Sequence, residues 1–421
     1  MFIFTKNLLF SHKIPADFMN YLRFLAAFFI LSICFSCKTK EVVKPNSPPN
    51  AFTVTATLAD NGKDIILKWT KSKDPDGDAV TYSVFYKDTL IRHLNDTTYI
   101  IKNVPYDTEV KGSIVAKDLK GGATVAQFSS KTLSLYIKIP DINFENALIR
   151  LKIDDIQDGQ VLRGNAEKVT DLRLNNSKNN QKISSLSGIE GFINLTYLDC
   201  TFNQLMNLDI SENANLIYLF CYINQLDNLD ISKNTKLIQL DCAGNNLTSL
   251  DVSKNKAMRS LAFASNDVTN LDISNNLNLE RLTCSGNQLT RLDLSKNIGL
   301  RYLDCSYNSL VNLDISNNPF LDEFYCSYNQ LTRLDLSKNT VLRNFSCFVN
   351  NLTSLDVSKN TKLRLLSCSE NQLLNLDISK NTILENLYCQ NNKIQTICVS
   401  KLNQPQVRWQ KDPTATYKVC N

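Results

Sequence analysis

From residue 195 to residue 404 the apolar positions return in one fixed order every 21 residues, LxxLxCxxNxLxxLDISxNxx. Ten copies begin at Leu195, Leu216, Leu237, Met258, Leu279, Leu300, Leu321, Leu342, Leu363 and Leu384, with nothing inserted or lost between them. Both halves share one grammar, LxxLxCxxN and then LxxLDISxN. This predicts coils with two short strands each, one per side, and leucines turned inward from both. Coils stacked at the inter-strand spacing of ~4.8 Å make ten copies roughly 48 Å long. A single coil cannot bury its own leucines, so stability comes from stacking on neighbours.

Upstream the period changes. Residues 50–133 alternate in the manner of strands: "FTVTATL", "IILKW", "VTYSVFY", "TTYIIKNV", "EVKGSIVAK" and "TVAQFSS", each bounded by Asp, Gly, Asn or Pro. Six or seven short strands at this spacing predict a β-sandwich. In residues 138–168, "IPDINFENALIRLKI" places Phe144, Leu148 and Leu151 at helical spacing, with Asp141 or Asn143 as N-cap. The open apolar end of a solenoid needs a cover, so this segment is expected to cap it. The fold class is mainly β: an N-terminal sandwich, then a capped solenoid of short parallel strands over residues 169–404, closed by a C-terminal cap at 405–421.

The first 36 residues read as an export signal. Arg23 precedes the apolar run "FLAAFFILSICFS", too short for an ordinary membrane span, and Ser36 precedes Cys37. This arrangement resembles a bacterial lipoprotein signal, which implies lipid on Cys37. Cys34, however, stands where that motif usually has Leu, and it is the alternative acceptor, although Ile33 before it is not small. A simple secretory signal is the other reading. "MNYLR" from Met19 forms a complete signal by itself, so the true start is expected there. Residues 37–49, charged and Pro-rich, form a tether. The formal charge is +5; three of 46 Lys and Arg and one of 41 Asp and Glu precede Cys37, which leaves +3. That balance gives no reason to expect a nucleic-acid partner.

Several residue columns invite chemistry. The first-half Asn recurs from Asn203 to Asn392, and the simplest role for it is to satisfy backbone groups at the turn and to bond to its stacked copies. The second-half Asp runs from Asp209 to Asp377, with Lys mostly three residues later, as at Lys233, Lys254 and Lys296; the two columns are expected to offset each other's charge. Nine cysteines (Cys200, Cys221, Cys242, Cys284, Cys305, Cys326, Cys347, Cys368, Cys389) share one slot that Phe263 fills in the fourth copy, so the slot wants an apolar group. No CxxC-like spacing suggests zinc. "DPDGD" at Asp74–Asp78 is a turn signal rather than a calcium loop, because Phe85 stands where such a loop carries Glu. Cys398 occupies the Asp position and Cys420 is the penultimate residue; in an oxidising compartment they are expected to form a disulfide that folds the last segment over the final coil. With two His in the whole chain, and no nucleophile set, phosphate loop or nucleotide fingerprint, neither an enzyme nor a cofactor is expected.

The 21-residue sentence resembles the bacterial leucine-rich repeat class with Cys in the core, and "VTDLRLNNSKNNQKISSLSGIEGFINL" resembles an irregular first repeat of internalin type. Trp69 with "PYDTEVKGSIVAKDLKGG" resembles a fibronectin type III domain, although Val110 stands near the place of that family's usual Tyr. A cadherin-like or other sandwich remains open. These resemblances imply a lipid-anchored surface protein of the outer membrane that recognises a protein or a glycan. A structural spacer and an accessory glycan-capture protein are the alternatives. The spacer predicts that both sides of the coil look alike at outward positions, and they do not. All eight Tyr of the copies, Tyr197, Tyr218, Tyr222, Tyr302, Tyr307, Tyr325, Tyr328 and Tyr388, lie in first halves. The expected binding face comprises Tyr197, Tyr218, Phe220 and Tyr222 in one group. Tyr302, Tyr307, Tyr325, Tyr328 and Phe348 form the other, with Arg301 and Arg343 beside it. Between the groups Ala243, Gly244, Ala262, Ala264, Ser265, Ser285 and Gly286 predict a trough roughly 14 Å long.

Overall fold

The computed structural model describes residues 44–59, 61–87, 89–176, 181–404 and 408–420. Cys34, Cys37 and the signal segment lie outside the described residues. Two compact units are present, one holding most of the sandwich and one holding cap and solenoid.

In the first unit, Val54–Leu58, Ile65–Trp69 and Thr98–Ile101 form one antiparallel sheet. Thr89–Leu94, Thr81–Tyr86, Glu109–Lys117 and Ala123–Lys131 form the second, in that order. Alternate residues Ile65, Leu67, Tyr82, Val84, Ile114 and Ala116 are buried, as the period of two requires. Trp69 packs on Tyr82 with ring centroids 5.5 Å apart. Thr89–Leu94 gave no period-two signal because it is an edge strand, paired with Thr81–Tyr86 alone, and no residue in it is fully buried. At "DPDGD" the Asp74 Oδ1 accepts from the backbone N–H of Asp76 and Asp78 at 2.8 and 3.3 Å. Lys44 and Lys120 pair with Asp76 and Asp78, each at 3.0 Å.

In the second unit the helix Ile142–Arg150 starts at Asp141, whose Oδ1 accepts from the Asn143 and Phe144 N–H groups. Its Oδ2 accepts from the N–H groups of Ser184 and Ser185 and the Ser184 hydroxyl, which ties the helix start to the first coil. These bonds hold its carboxyl below the ordinary range even though burial opposes them. Phe144, Ala147 and Leu148 enter a core that runs without a break from Ile137 to Ala415. Leu151, read from its spacing as part of that face, instead stands at the helix C-cap and is exposed.

The first half of each copy then contributes one three-residue strand centred on its second leucine, as in Tyr302–Asp304, or on Phe324 and Phe345 in the seventh and eighth copies. Twelve strands form one parallel sheet, from Asp171–Arg173 to Trp409–Gln410, and repeat strands pair with residues 21 apart opposite each other. Only the central residue of each strand is fully buried in most copies; Ser346 joins it in the eighth. The expected second strand is absent from most coils. A second parallel sheet forms only at the end, from Asn375–Asp377, Thr396–Val399 and Thr416–Val419. In the other coils the Asp of LDIS closes a turn, its carboxylate accepting the N–H of the Ser two residues on, as Asp230 does from Ser232 at 2.8 Å; Asp377 makes the same bond at 2.9 Å from within a strand. Thr396–Val399 has Cys398 in place of that Asp and is rich in β-branched residues, so it extends.

Two Asn ladders satisfy the backbone that the sheet leaves over. The Asn245 amide donates to Cys221 O and Cys242 O at 3.1 and 3.0 Å, while its Oδ1 accepts from Leu226 N–H at 3.0 Å. Apart from a 3.5 Å contact between Asn176 and Asn203, the ladder bonds to backbone rather than from Asn to Asn. The second ladder, Asn213 to Asn381, was not anticipated, although the Asn of LDISxN marks it. Its members are fully buried, and Asn276 donates to Val252 O and Asn255 O, both at 3.0 Å.

Candidate binding face

The nine ladder cysteines are all unpaired and buried. Burial pushes their thiols up, to about 12 at Cys389 and further at the others. They therefore behave as apolar wedges with no thiolate to react or to bind metal. Among the described residues no cluster of three or more His, Cys, Asp or Glu is placed to hold a metal ion. Cys398 and Cys420 are joined, with Cα atoms 5.3 Å apart, and Thr416–Val419 lies in register beside Thr396–Val399. From Asp209 to Asp356 the Asp column is held below its ordinary 3.8 first by the Ser N–H and only weakly by Lys, as at Asp293. None of its members forms an ion pair with the Lys column among the described residues. The expected charge offset between the two columns is thus replaced by a local turn.

The aromatic side chains do gather into two groups on the first-half face. In the first, Tyr197 lies 6.0 Å from Tyr218 and 5.4 Å from Phe220, with the Arg173 guanidinium 4.5 Å over its ring. Tyr222 meets Phe202 edge-on at 5.2 Å. In the second, Tyr302 and Tyr325 lie 5.7 Å apart, and the Tyr325 hydroxyl donates to Glu323 Oε2 at 2.8 Å. Burial first, and this carboxylate second, raise the Tyr325 phenol far above its usual range. Tyr307 and Tyr328 stack at 4.1 Å with planes 14° apart, and Phe348 meets Tyr328 edge-on at 5.0 Å.

Tyr307 and Tyr328, both expected on this face, stand in a column whose left-handed backbone sequence reasoning missed. The residue before the first-half Asn has positive φ in all ten copies, from +53° at Tyr307 to +64° at Gly286. The signal was Gly244, Gly286 and Asn391 in that column, residue types that favour left-handed backbone. A left-handed non-glycine residue costs roughly 1–2 kcal/mol. Two tyrosines nonetheless occupy such positions and expose their rings, 55% for Tyr307 and 37% for Tyr328.

The stretch between the groups does not hold small residues alone. Ala243, Gly244, Ala262, Ala264, Ser265, Ser285 and Gly286 do lie there, but so does Arg281, whose guanidinium sits 4.2 Å over the Tyr302 ring. Arg343 is engaged by Asp322 at 3.4 Å, and Arg301 lies by Phe320 in the segment that leads into the strand. A cavity of about 390 Å³ lies on the second halves, bordered by Asp272, Arg291, Asp293 and Lys296. Another, of about 250 Å³, lies between the segments that precede the strands.

With ten unbroken 21-residue copies and this ladder of short parallel strands, the chain belongs to the leucine-rich repeat proteins. It is similar to the functional domain of InlJ from Listeria monocytogenes, which includes a cysteine ladder. The identity is 31% over 68% of this chain and 71% of that one, with a TM-score of 0.45. It is also similar to YopM, a leucine-rich effector protein from Yersinia pestis, at 19% identity over 66% of this chain and 90% of that one, TM-score 0.48. The LRIM1/APL1C complex matches at 23% identity, over 61% and 52%, TM-score 0.43. No family model and no curated protein matches the chain.

Proposed function

We propose that this is a non-enzymatic binding protein of the bacterial cell surface, anchored in the outer membrane through lipid on Cys37. It recognises a protein or glycan partner through the first-half strand face. The tether and a fibronectin type III-like sandwich act as spacers; the split into three- and four-stranded sheets supports that reading. The observation that carries the function is the one-sidedness of the aromatics. Strand pairing favours rings at Tyr302 and Tyr325, since only the first halves carry a strand in most coils, but it does not account for Tyr307 and Tyr328, which lie beyond the strands and are exposed. Exposed Tyr offers large contact area at low cost in rotamer entropy. The test is a glycan and protein array with the purified chain, repeated with Tyr302→Ala, Tyr325→Ala and Tyr328→Ala combined. Loss of the captured partner with unchanged circular dichroism is expected; undiminished binding would leave the aromatics as coil-to-coil braces and favour the spacer. Protease shaving of intact cells tests the surface location.

A further inference from the structure

A solenoid of identical coils carries its own controls, because each position is seen in many copies. Between the buried second-half Asn and the next leading leucine lie two residues. In several coils they are small or polar, as in Thr235-Lys236 and Thr361-Lys362, so the coil folds well with such residues there. In three consecutive coils they instead bring Leu277, Ile298 and Phe320, which are 58%, 60% and 52% exposed. These three border the cavity of about 250 Å³. The gap exists because Gly299 has no side chain. A Cβ there would meet nothing nearer than Leu279 O at 3.7 Å, and its φ is not left-handed, so the backbone does not require glycine. Phe320 occupies the equivalent position one coil on.

Charge singles out the same place. One step further along the chain, a column of Arg259, Glu280, Arg301, Asp322 and Arg343 runs across five coils. Arg259 pairs with Glu280 at 3.2 Å and Arg343 with Asp322 at 3.4 Å. Arg301, between them, has no ion pair among the described residues, and its guanidinium lies 6.0 Å from the Phe320 ring. Three cations against two carboxylates leave one unmatched fork beside an apolar cleft.

We propose that this cleft docks an extended protein segment in which a large apolar side chain is next to a carboxylate. The apolar group fills the gap over Gly299, against Leu277 and Ile298, and the carboxylate takes the Arg301 guanidinium. Alkyl walls favour a protein segment over a sugar, whose hydroxyls would find few partners there. This site is independent of the aromatic face, and it assigns Arg301 to the cleft.

The test uses the full chain and an array of blocked octapeptides. Leu or Phe stands next to Asp or Glu, beside matched Asn and Gln isosteres and a set of sialylated and uronate oligosaccharides. Acidic-apolar peptides are expected to bind at least about tenfold more tightly than their isosteres, a difference of ~1.4 kcal/mol. Arg301→Gln, Gly299→Phe and the double variant Leu277→Thr with Ile298→Thr should each abolish that preference while circular dichroism is unchanged. The Tyr302, Tyr325 and Tyr328 triple variant should keep it, which separates this site from the aromatic face. Equal binding of the isosteres, binding that survives Gly299→Phe and the Thr pair, binding of the anionic oligosaccharides alone, or no binding at all would overturn the proposal.

Discussion

Removing one rung of the first Asn ladder should do more damage than removing a surface side chain beside it. In Asn287 the side-chain amide donates to Phe263 O and Cys284 O, both at 3.1 Å, and its Oδ1 accepts from Val268 N–H at 3.0 Å. Asn287→Ala orphans the buried Val268 N–H, while Phe263 O keeps the Asn266 amide at 2.9 Å and Cys284 O keeps the Asn308 amide at 3.0 Å, so each carbonyl loses one of two donors. Orphaning that N–H costs about 1–3 kcal/mol and the two carbonyls each lose a donor, so about 2–3 kcal/mol is expected in total. Asn287→Asp keeps the acceptor but turns a carboxylate toward two carbonyls, and should cost at least as much. Gln288→Ala, next door and exposed, should stay within about 0.5 kcal/mol. The assay is urea unfolding followed by circular dichroism, with hydrogen exchange to locate the damage. The amides of Val268 and Leu289 should exchange well before those of distant coils, because each coil is supported only by its neighbours. A loss below about 1 kcal/mol, or opening spread evenly along the solenoid, would refute the view that these amides complete the backbone.

At Val349 a β-branched residue is held at φ +54°. Val349→Asn, the residue that Asn391 supplies in the tenth copy, should raise stability by about 1 kcal/mol in thermal unfolding, and a fall would show that Val349 packing outweighs the strain. Eight Asp of the second-half column, from Asp209 to Asp356, titrate below 3.8 in the fold, chiefly through Ser N–H bonds. A depressed carboxyl stabilises the fold above the unfolded value, and the benefit is lost as pH falls through 3.8 toward the lower folded values. Acid unfolding should therefore begin near pH 4 and depend little on salt; a midpoint that moves strongly with salt would point to the Lys column instead. In a chain lacking residues 1–37, a membrane-impermeant thiol reagent should find almost no thiol in the native protein and nine after unfolding without reductant. Eleven would mean that Cys398 and Cys420 are unpaired.

The repeat was legible because it is a statement about burial: a leucine or cysteine every few residues in phase with 21 can satisfy itself only by stacking. The period of two in "IILKW" and "VTYSVFY" announced the sandwich in the same way, since alternate burial leaves its mark along the strand. Thr89–Leu94 left no such mark, because an edge strand is held by one neighbour and buries little. Asp141 was one of two candidate caps; what decided it was the position of Ser184 and Ser185, more than 40 residues away, at the second carboxylate oxygen.

The aromatic column was visible in the sequence as composition, and the grouping of Tyr302, Tyr325 and Tyr328 follows from the register of 21. Whether an outward group is free could not be read there, because pairing across coils depends on which rotamer meets which neighbour. Arg281 turned onto Tyr302; Arg343 turned to Asp322 and Arg301 was left over. The missing second sheet has the same origin. LxxLDIS and LxxLxC look alike as patterns of burial, and an Asp that takes a backbone N–H two residues on stands in both, as at Asp230 and Asp304, so only the stacking of whole coils decided which half pairs along its length. What pattern fixed was the set of side chains that face the core. The stacked coils decided which polar groups bond within their own turn and which remain for a partner.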